Sequence, residues 1–266
     1  MISFFKMQAT GNDFIIINAI KEKFRYSYWD LSRFLCNRKF GIGADGVIFL
    51  EEGKKAQFKM RIFNQDGSEA GMCGNGIRCL ARYLYEEGLV NNSKFEIETL
   101  SGNKAIELVL ENKTVIGIKV DMGETVAEEK LDVDIDGKIF TGYKIYTGNP
   151  HFVCFINDLS IEELEKYGPK IETYKFFPDK TNVEFVKVVN QSRIKMLVWE
   201  RGVGRTFSCG TGACAASVAS NLYQFTESEL TVELEGGNLK TIYNKESSKI
   251  VLIGNAEIVY KGKVEI

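Results

Sequence analysis

Apolar residues along this chain fall mostly into short runs of alternating or β-branched character, bounded by Gly, Asn and Asp. That pattern predicts many strands. Strand-like runs flank the turn Lys6–Phe14, the second covering Phe14–Asn18, and others fall at 47–50, 58–63, 94–99, 104–110 and 114–121. After an acidic stretch at 121–130, read as a boundary, strands are predicted at 131–135, 138–146, 183–189, 193–199, 230–235, 238–243, 249–253 and 256–260. Helical spacing appears at 29–38 (Trp29, Leu31, Phe34, Leu35), from Gly76 (Ile77, Leu80, Ala81, Leu84, Tyr85), at Ile161–Tyr167 and at Thr211–Tyr223. Gly88 suits a C-cap, and Glu111-Asn112-Lys113 a hairpin turn. The segment 211–223 is small or apolar all round, which predicts a helix buried on every side within a curved sheet.

One pattern occurs twice. Cys73-Gly74-Asn75-Gly76 and Cys209-Gly210-Thr211-Gly212 each run into a helical segment, 209 − 73 = 136 residues apart. The same offset, within one residue, joins Gly11-Asn12-Asp13-Phe14 to Gly148-Asn149-Pro150-His151-Phe152. It also joins Gly46-Val47-Ile48-Phe49 to Asn182-Val183-Glu184-Phe185, and Asn64 to Glu200. Ordered landmarks at one spacing predict a duplication, two equivalent halves facing each other across a cleft. The fold class expected is α+β: residues 1–121 form a half carrying Cys73 and 122–256 a half carrying Cys209.

Composition narrows the function. A net charge of −2 offers no nucleic-acid footprint, and no run of about 20 apolar residues predicts a membrane span. Six cysteines without a secretory signal fit reduced thiols in the cytoplasm. Gly41–Gly46 is glycine-rich, but it lacks the G-x-G-x-x-G form and a following helix, which argues against a dinucleotide site. Cys36, Cys79, Cys154 and Cys214 read as packing residues.

A cysteine at a helix start sits in a positive field that favours thiolate, and glycines there let backbone N–H groups approach an anion. Two such thiols suit a proton relay at carbon: one removes a proton from one face, the other returns one to the opposite face. Gly74, Asn75, Gly210 and Thr211 would give N–H donors to a substrate carboxylate. The neutral amides Asn12, Asn64, Asn149 and Asn182 can recognise an amino-acid group without adding charge. Glu200 can accept from an ammonium, and Arg201 can hold a second carboxylate. Neighbours on a strand point to opposite sides, so both enter one site only if the strand ends at Gly202. His151, the only histidine, stands inside a repeated landmark.

The motifs G-N-D-F (11–14), N-Q-D-G-S-E (64–69), C-G-N-G (73–76), G-N-P-H (148–151), E-R-G (200–202) and C-G-T-G (209–212) resemble the diaminopimelate epimerase family from residue 6 to near the C-terminus. The resemblance implies a cofactor-independent isomerase that interconverts LL- and meso-diaminopimelate for lysine and cell-wall precursor synthesis. It implies Cys73 and Cys209 as the acid/base pair, with His151 and Glu200 assisting. Substrate binding would fall to Asn12, Asn64, Asn149, Asn182, Glu200 and Arg201. It further implies two similar domains, each a β-barrel-like sheet around a central helix, a final strand at 257–266 that packs back on the first, and a homodimer with Tyr260 at its seam. Gly46 stands where some members carry glutamine, and Gln8 where histidine is frequent. Two other classes are weighed. A thiol redox sensor would pair Cys73 with Cys209, but no C-x-x-C motif supports it. A zinc module is disfavoured by the spacings Cys73-x5-Cys79 and Cys209-x4-Cys214. Lanthionine, with sulfur in place of the central methylene, remains a substrate alternative, since such a change alters binding by only about 1–3 kcal/mol.

Overall fold

Eighteen strands and four helices follow one another in an order that occurs twice. The computed structural model describes all 266 residues. They form two compact units, Met1–Val120 with Gly254–Ile266, and Asp121–Ile253.

In the first unit the elements are β1 (Ile2–Ala9), β2 (Asn12–Asn18), α1 (Tyr28–Cys36), β3 (Gly46–Glu52), β4 (Phe58–Asn64), β5 (Glu69–Ala70), α2 (Gly74–Glu86), β6 (Lys94–Thr99), β7 (Gly102–Glu111) and most of β8 (Thr114–Glu124). The second unit contains β9 (Val126–Ile135), β10 (Lys138–Tyr146), β11 (Pro150–Phe155), α3 (Ile161–Glu172), β12 (Asn182–Asn190), β13 (Arg193–Glu200), β14 (Gly204–Thr206), α4 (Gly210–Leu222), β15 (Glu229–Leu234), β16 (Gly237–Asn244) and β17 (Lys249–Gly254). The last strand, β18 (Glu257–Val264), pairs antiparallel with β1. It occupies the place that β9 takes beside β10.

From there the pairings match one for one. β1–β2 and β10–β11 are antiparallel, and β2–β3 and β11–β12 are parallel. β3–β4 and β12–β13 are antiparallel, while β4–β6 and β13–β15 are parallel. Parallel neighbours need a crossover, and each crossover here carries one of the four helices. The register reproduces the repeat. Phe14 lies opposite Gly46, as His151 lies opposite Asn182. Asn64 closes β4 opposite Gly46, and Glu200 closes β13 at the matching place.

Each sheet wraps one helix. α2 touches β1, β2, β3, β4, β7 and β18, and α4 touches β10, β11, β12, β13, β15 and β16. Ala213, Ala215, Ala216 and Ala219 are fully buried, and small side chains let strands approach from all sides. The polar ones are satisfied internally: Ser217 donates to the Ala213 carbonyl (2.7 Å), and Thr241 on β16 donates to Ser217 (2.8 Å). In α2 the fully buried guanidinium of Arg78 donates to the Gly74 carbonyl (2.9 Å), the Asn255 carbonyl (3.2 Å) and Thr10 Oγ1 (3.2 Å). It therefore ties the helix to the β1–β2 turn and to the segment that leads into β18.

The units divide between Val120 and Asp121, at the start of the acidic stretch read as a boundary. Two elements run longer than expected. β9 begins at Val126 rather than at 131, and its first residues are solvent-exposed; Glu128 pairs with Lys144 of β10 at 2.7 Å. Exposure on both faces removes the apolar alternation that marks a strand. The helix expected at 161–167 continues through Gly168 and Pro169 to Glu172, because Leu164, Tyr167 and Ile171 share one buried face. A Cβ at Gly168 would stand 2.9 Å from the Trp199 ring, so the glycine permits close packing on β13 rather than ending the helix.

Replacing Arg78 by Leu removes this donor from three oxygens, one buried and two part-buried. It should lower the unfolding free energy by about 3 kcal/mol, read by urea titration followed by circular dichroism. A loss below about 0.5 kcal/mol would show that these bonds hold nothing together.

Candidate active site

In both units the backbone prepares the same feature: an extended cysteine that caps a buried helix with its sulfur. Cys73 (φ −141°, ψ 120°) accepts from the Gly76 N–H at 3.4 Å, and Cys209 (φ −124°, ψ 115°) from the Gly212 N–H at 3.3 Å. Gly74, Asn75, Gly210 and Thr211 form the first turns. Their N–H groups have no carbonyl four residues back within the helix.

Around Cys73 the surroundings are amides fixed by ion pairs. The thiol lies 3.9 Å from Asn12 Oδ1, which also accepts from Asn75 Nδ2 at 3.4 Å. Asn12 Nδ2 donates to Asp45 Oδ2 at 2.6 Å, and Asp45 Oδ2 takes the Asp13 N–H at 3.1 Å. Asp13 is held by Lys6 (2.6 Å) and Arg38 (2.7 Å), and Arg38 also reaches Asp45 (2.7 Å). Lys6 donates to the Gly43 carbonyl as well. Asn64 is exposed at the end of β4 and donates to Ser68 Oγ at 3.0 Å. Its backbone partner, Gly46, has no room for a side chain, since a Cβ would sit 2.8 Å from the Phe63 carbonyl.

Around Cys209 the surroundings are ionisable. Thr211 Oγ1 lies 3.4 Å from the sulfur, and the Glu200 carboxylate is within hydrogen-bonding reach of the thiol. Glu200 accepts from Thr206. His151, fully buried, has Nδ1 2.7 Å from Glu184 Oε1 and Nε2 3.0 Å from Asn149 Oδ1. Thr147 links Asn149 (3.4 Å) to the Thr211 carbonyl (3.5 Å). Asn182 donates to the Pro150 carbonyl at 2.8 Å and accepts the Arg201 N–H at 3.0 Å. β13 ends at Glu200, and Gly202 turns the chain with φ +75°. Glu200 is thus half-buried while the Arg201 guanidinium, donating to the Asp179 carbonyl at 3.0 Å, is exposed.

Sequence reasoning passed over Glu184, which joins His151 to the floor of the first turn of α4. The signal was available: the strand N-V-E-F-V has an acidic residue where its repeat, Gly46-Val47-Ile48-Phe49, has isoleucine. It also passed over the group formed by Lys6, Asp13, Arg38 and Asp45.

The helix-start field does not decide the state of Cys209. Burial pushes its thiol well up, and the carboxylates of Glu200 and Glu184 push it further, against the Thr211 and Gly212 hydrogen bonds. Burial likewise raises Glu200, aided by Glu184. Cys36 and Cys154 are raised by burial to about 12, and Cys79 is raised by the same cause. With Cys214 they are buried packing residues.

Asp13 is displaced the other way. Burial works to raise it, but hydrogen bonds from Arg38 and Lys6 outweigh this and hold it at about 2, below an ordinary 3.8. A depressed folded-state value means that the stabilisation is complete above pH 4 and is lost as pH falls towards 2. Partial exposure limits the effect to about 1 kcal/mol. Urea titrations between pH 2 and 5 should show this loss in the native chain, and a shallower pH dependence in Asp13→Asn. Equal slopes would show that Asp13 is not the group responsible.

Comparison with known proteins identifies the family. The family model described as diaminopimelate epimerase matches residues 4–128 and 143–259. The diaminopimelate epimerase of Moorella thermoacetica is 42% identical over 272 residues, covering 97% of this chain and 98% of that protein. That of Methanococcus maripaludis is 41% identical over 278 residues, covering all of both, and that of Carboxydothermus hydrogenoformans is 44% identical, covering 98% and 99%. Among solved structures, a Bacillus anthracis phenazine biosynthesis protein of the PhzF family superposes with a TM-score of 0.79 at 18% identity, covering 100% of this chain and 99% of that one. A probable proline racemase from Agrobacterium radiobacter gives 0.79 at 12% identity, covering 100% and 93%, and these two show the fold. With both capping cysteines, the repeated topology and full-length identity in agreement, the chain belongs to the diaminopimelate epimerase family.

Proposed function

We propose that this chain is an isomerase that inverts one α-carbon of diaminopimelate, interconverting the LL and meso forms, with Cys73 and Cys209 as its acid/base pair. The observation that carries this reading is the pair of cysteines, each capping a buried helix through its own sulfur. A thiolate takes the α-proton from one face, and a thiol on the other face returns one. The carbanion between these steps is stabilised by the positive field and backbone N–H groups of the helix starts, at Gly74, Asn75, Gly210 and Thr211, aimed at the adjacent carboxylate. The reaction therefore calls for no cofactor. Burial and two nearby carboxylates keep Cys209 protonated in the resting enzyme, which makes it the first acid. When it must act as base, Glu200, itself raised by burial, can share the proton.

Asn12, Asn64, Asn149 and Asn182 supply neutral contacts to the substrate's ammonium and carboxylate groups, and Arg201 holds the distal carboxylate. This product feeds lysine and cell-wall precursor synthesis in the cytoplasm; no helix is long and apolar enough to cross a membrane. A homodimer is proposed through β18, where Tyr260 is 44% exposed and packs edge-on against Phe4 at 5.9 Å. The partner sought is a second copy and a small amino acid, not nucleic acid.

The decisive assay is α-proton exchange in heavy water across diaminopimelate, lanthionine, proline and histidine. Exchange should be fastest on diaminopimelate, and Cys73→Ser and Cys209→Ser should each reduce it by at least about 10³-fold with the fold intact, because an alcohol is a far poorer base than a thiol. Native rates in either variant would end the two-thiol mechanism.

Arg201→Lys tests the two-ended substrate. Losing the bidentate fork should cost roughly 2–4 kcal/mol in kcat/KM for diaminopimelate, with far less effect on slow turnover of alanine. Equal losses on both would make Arg201 structural.

A further inference from the structure

The parallel pairing of His151 with Asn182 and of Phe14 with Gly46 shows which side chains are equivalent under the two helix starts. In the first unit they are Phe14 and Ile48; in the second they are His151 and Glu184. A Cβ added at Gly76 would meet Ile62 Cδ1 at 3.0 Å and Ile48 Cδ1 at 3.1 Å, the movable ends of apolar side chains. A Cβ added at Gly212 would meet Glu184 Oε1 at 2.6 Å. The carboxylate therefore lies directly against the first turn of α4. Glu184 is fully buried, and its second oxygen, Oε2, has no hydrogen-bond partner. An unpartnered buried carboxylate oxygen is costly, and isoleucine fills the equivalent place without that cost.

We propose that Glu184 is a positioning residue for the Cys209 end of the relay: it holds the His151 ring at Nδ1, the ring holds Asn149, and the carboxylate gives Cys209 an ionic floor where the first turn of α2 has a hydrocarbon one. The proposal rests on the reading of Cys209 as an acid/base group. A relay with two identical surroundings would leave both thiols competing for one proton, and half of the resting enzyme would be in the wrong form for either isomer. An anion beneath one thiol removes that degeneracy. The ionisable groups facing Cys209 are Glu200 from β13, Glu184 from β12 and His151 from β11. Of the other strands on α4, β15 and β16 turn Leu230, Val232, Leu239 and Thr241 inward, with Tyr243 on the same face, and Tyr143 of β10 packs on Tyr223 at the far end.

The test measures each thiol separately. Alkylation by iodoacetamide is followed across pH, and the Cys73 and Cys209 peptides are quantified by mass spectrometry without substrate. In Glu184→Gln, an isostere whose amide oxygen can still accept from Nδ1, the Cys209 profile should move down by about one pH unit, while the Cys73 profile stays. Glu184→Asp, which keeps the charge, should restore the native Cys209 profile. In turnover, the alkaline limb of kcat/KM for diaminopimelate should move down with Cys209 in Glu184→Gln, with KM changed less than about twofold. An unmoved Cys209 profile, or Gln and Asp variants that behave alike, would overturn the proposal and make Glu184 a packing residue. A shifted Cys209 profile in a protein that exchanges no diaminopimelate proton would instead uphold the charge placement and defeat the functional reading.

Discussion

A helix start enclosed by strands has backbone N–H groups that neither water nor a helical carbonyl can satisfy. In this protein the capping sulfur takes one of them, the Gly76 N–H in one unit and the Gly212 N–H in the other. The helix dipole adds a positive field that favours an anion at the same place. Small residues in α4 and the internal bonds of Ser217 and Thr241 allow the sheet to close around the helix. The fold thus brings together a buried sulfur and a preorganised field, and the chemistry follows from that conjunction.

The two units solve the support of that feature differently on one backbone. In the first, neutral amides at Asn12 and Asn75 are steered by a charged set, Lys6, Asp13, Arg38 and Asp45, whose ion pairs lie between 2.6 and 2.7 Å. In the second, the ionisable groups themselves, His151, Glu184 and Glu200, stand beneath or beside the thiol. Desolvation makes every charge in the second set consequential, because a low-dielectric interior screens little. Inverting a carbon with two thiols needs one in each protonation state, and here the halves differ in the charges around theirs.

Cysteine fits this role for a physical reason. Its ordinary pKa lies close enough to neutrality that burial and two carboxylates, or hydrogen bonds and a helix start, can move it either way. Cys36 and Cys154 rise to about 12, chiefly by burial. What sets Cys73 and Cys209 apart is their place, each capping a buried helix with its sulfur.

Much of this was legible in the sequence, because it depends on local preferences and on repetition. The C-G-x-G turns, the buried composition of residues 211–223 and the offset of 136 between landmarks imply two strand-rich halves around central helices. The motif set identifies the family. Other features were decided only by tertiary packing. The first half of β9 is exposed on both faces, so only its end, at 131–135, was announced, and α3 runs through Gly168 and Pro169 because Trp199 packs against that glycine. The helix-start field, read alone, favours thiolate at Cys209. The surrounding protein reverses this, because burial and the carboxylates of Glu184 and Glu200, on β12 and β13, are brought to the thiol by the sheet. A sequence records which groups are present; the dielectric around them and the charges they face exist only once the sheet has closed.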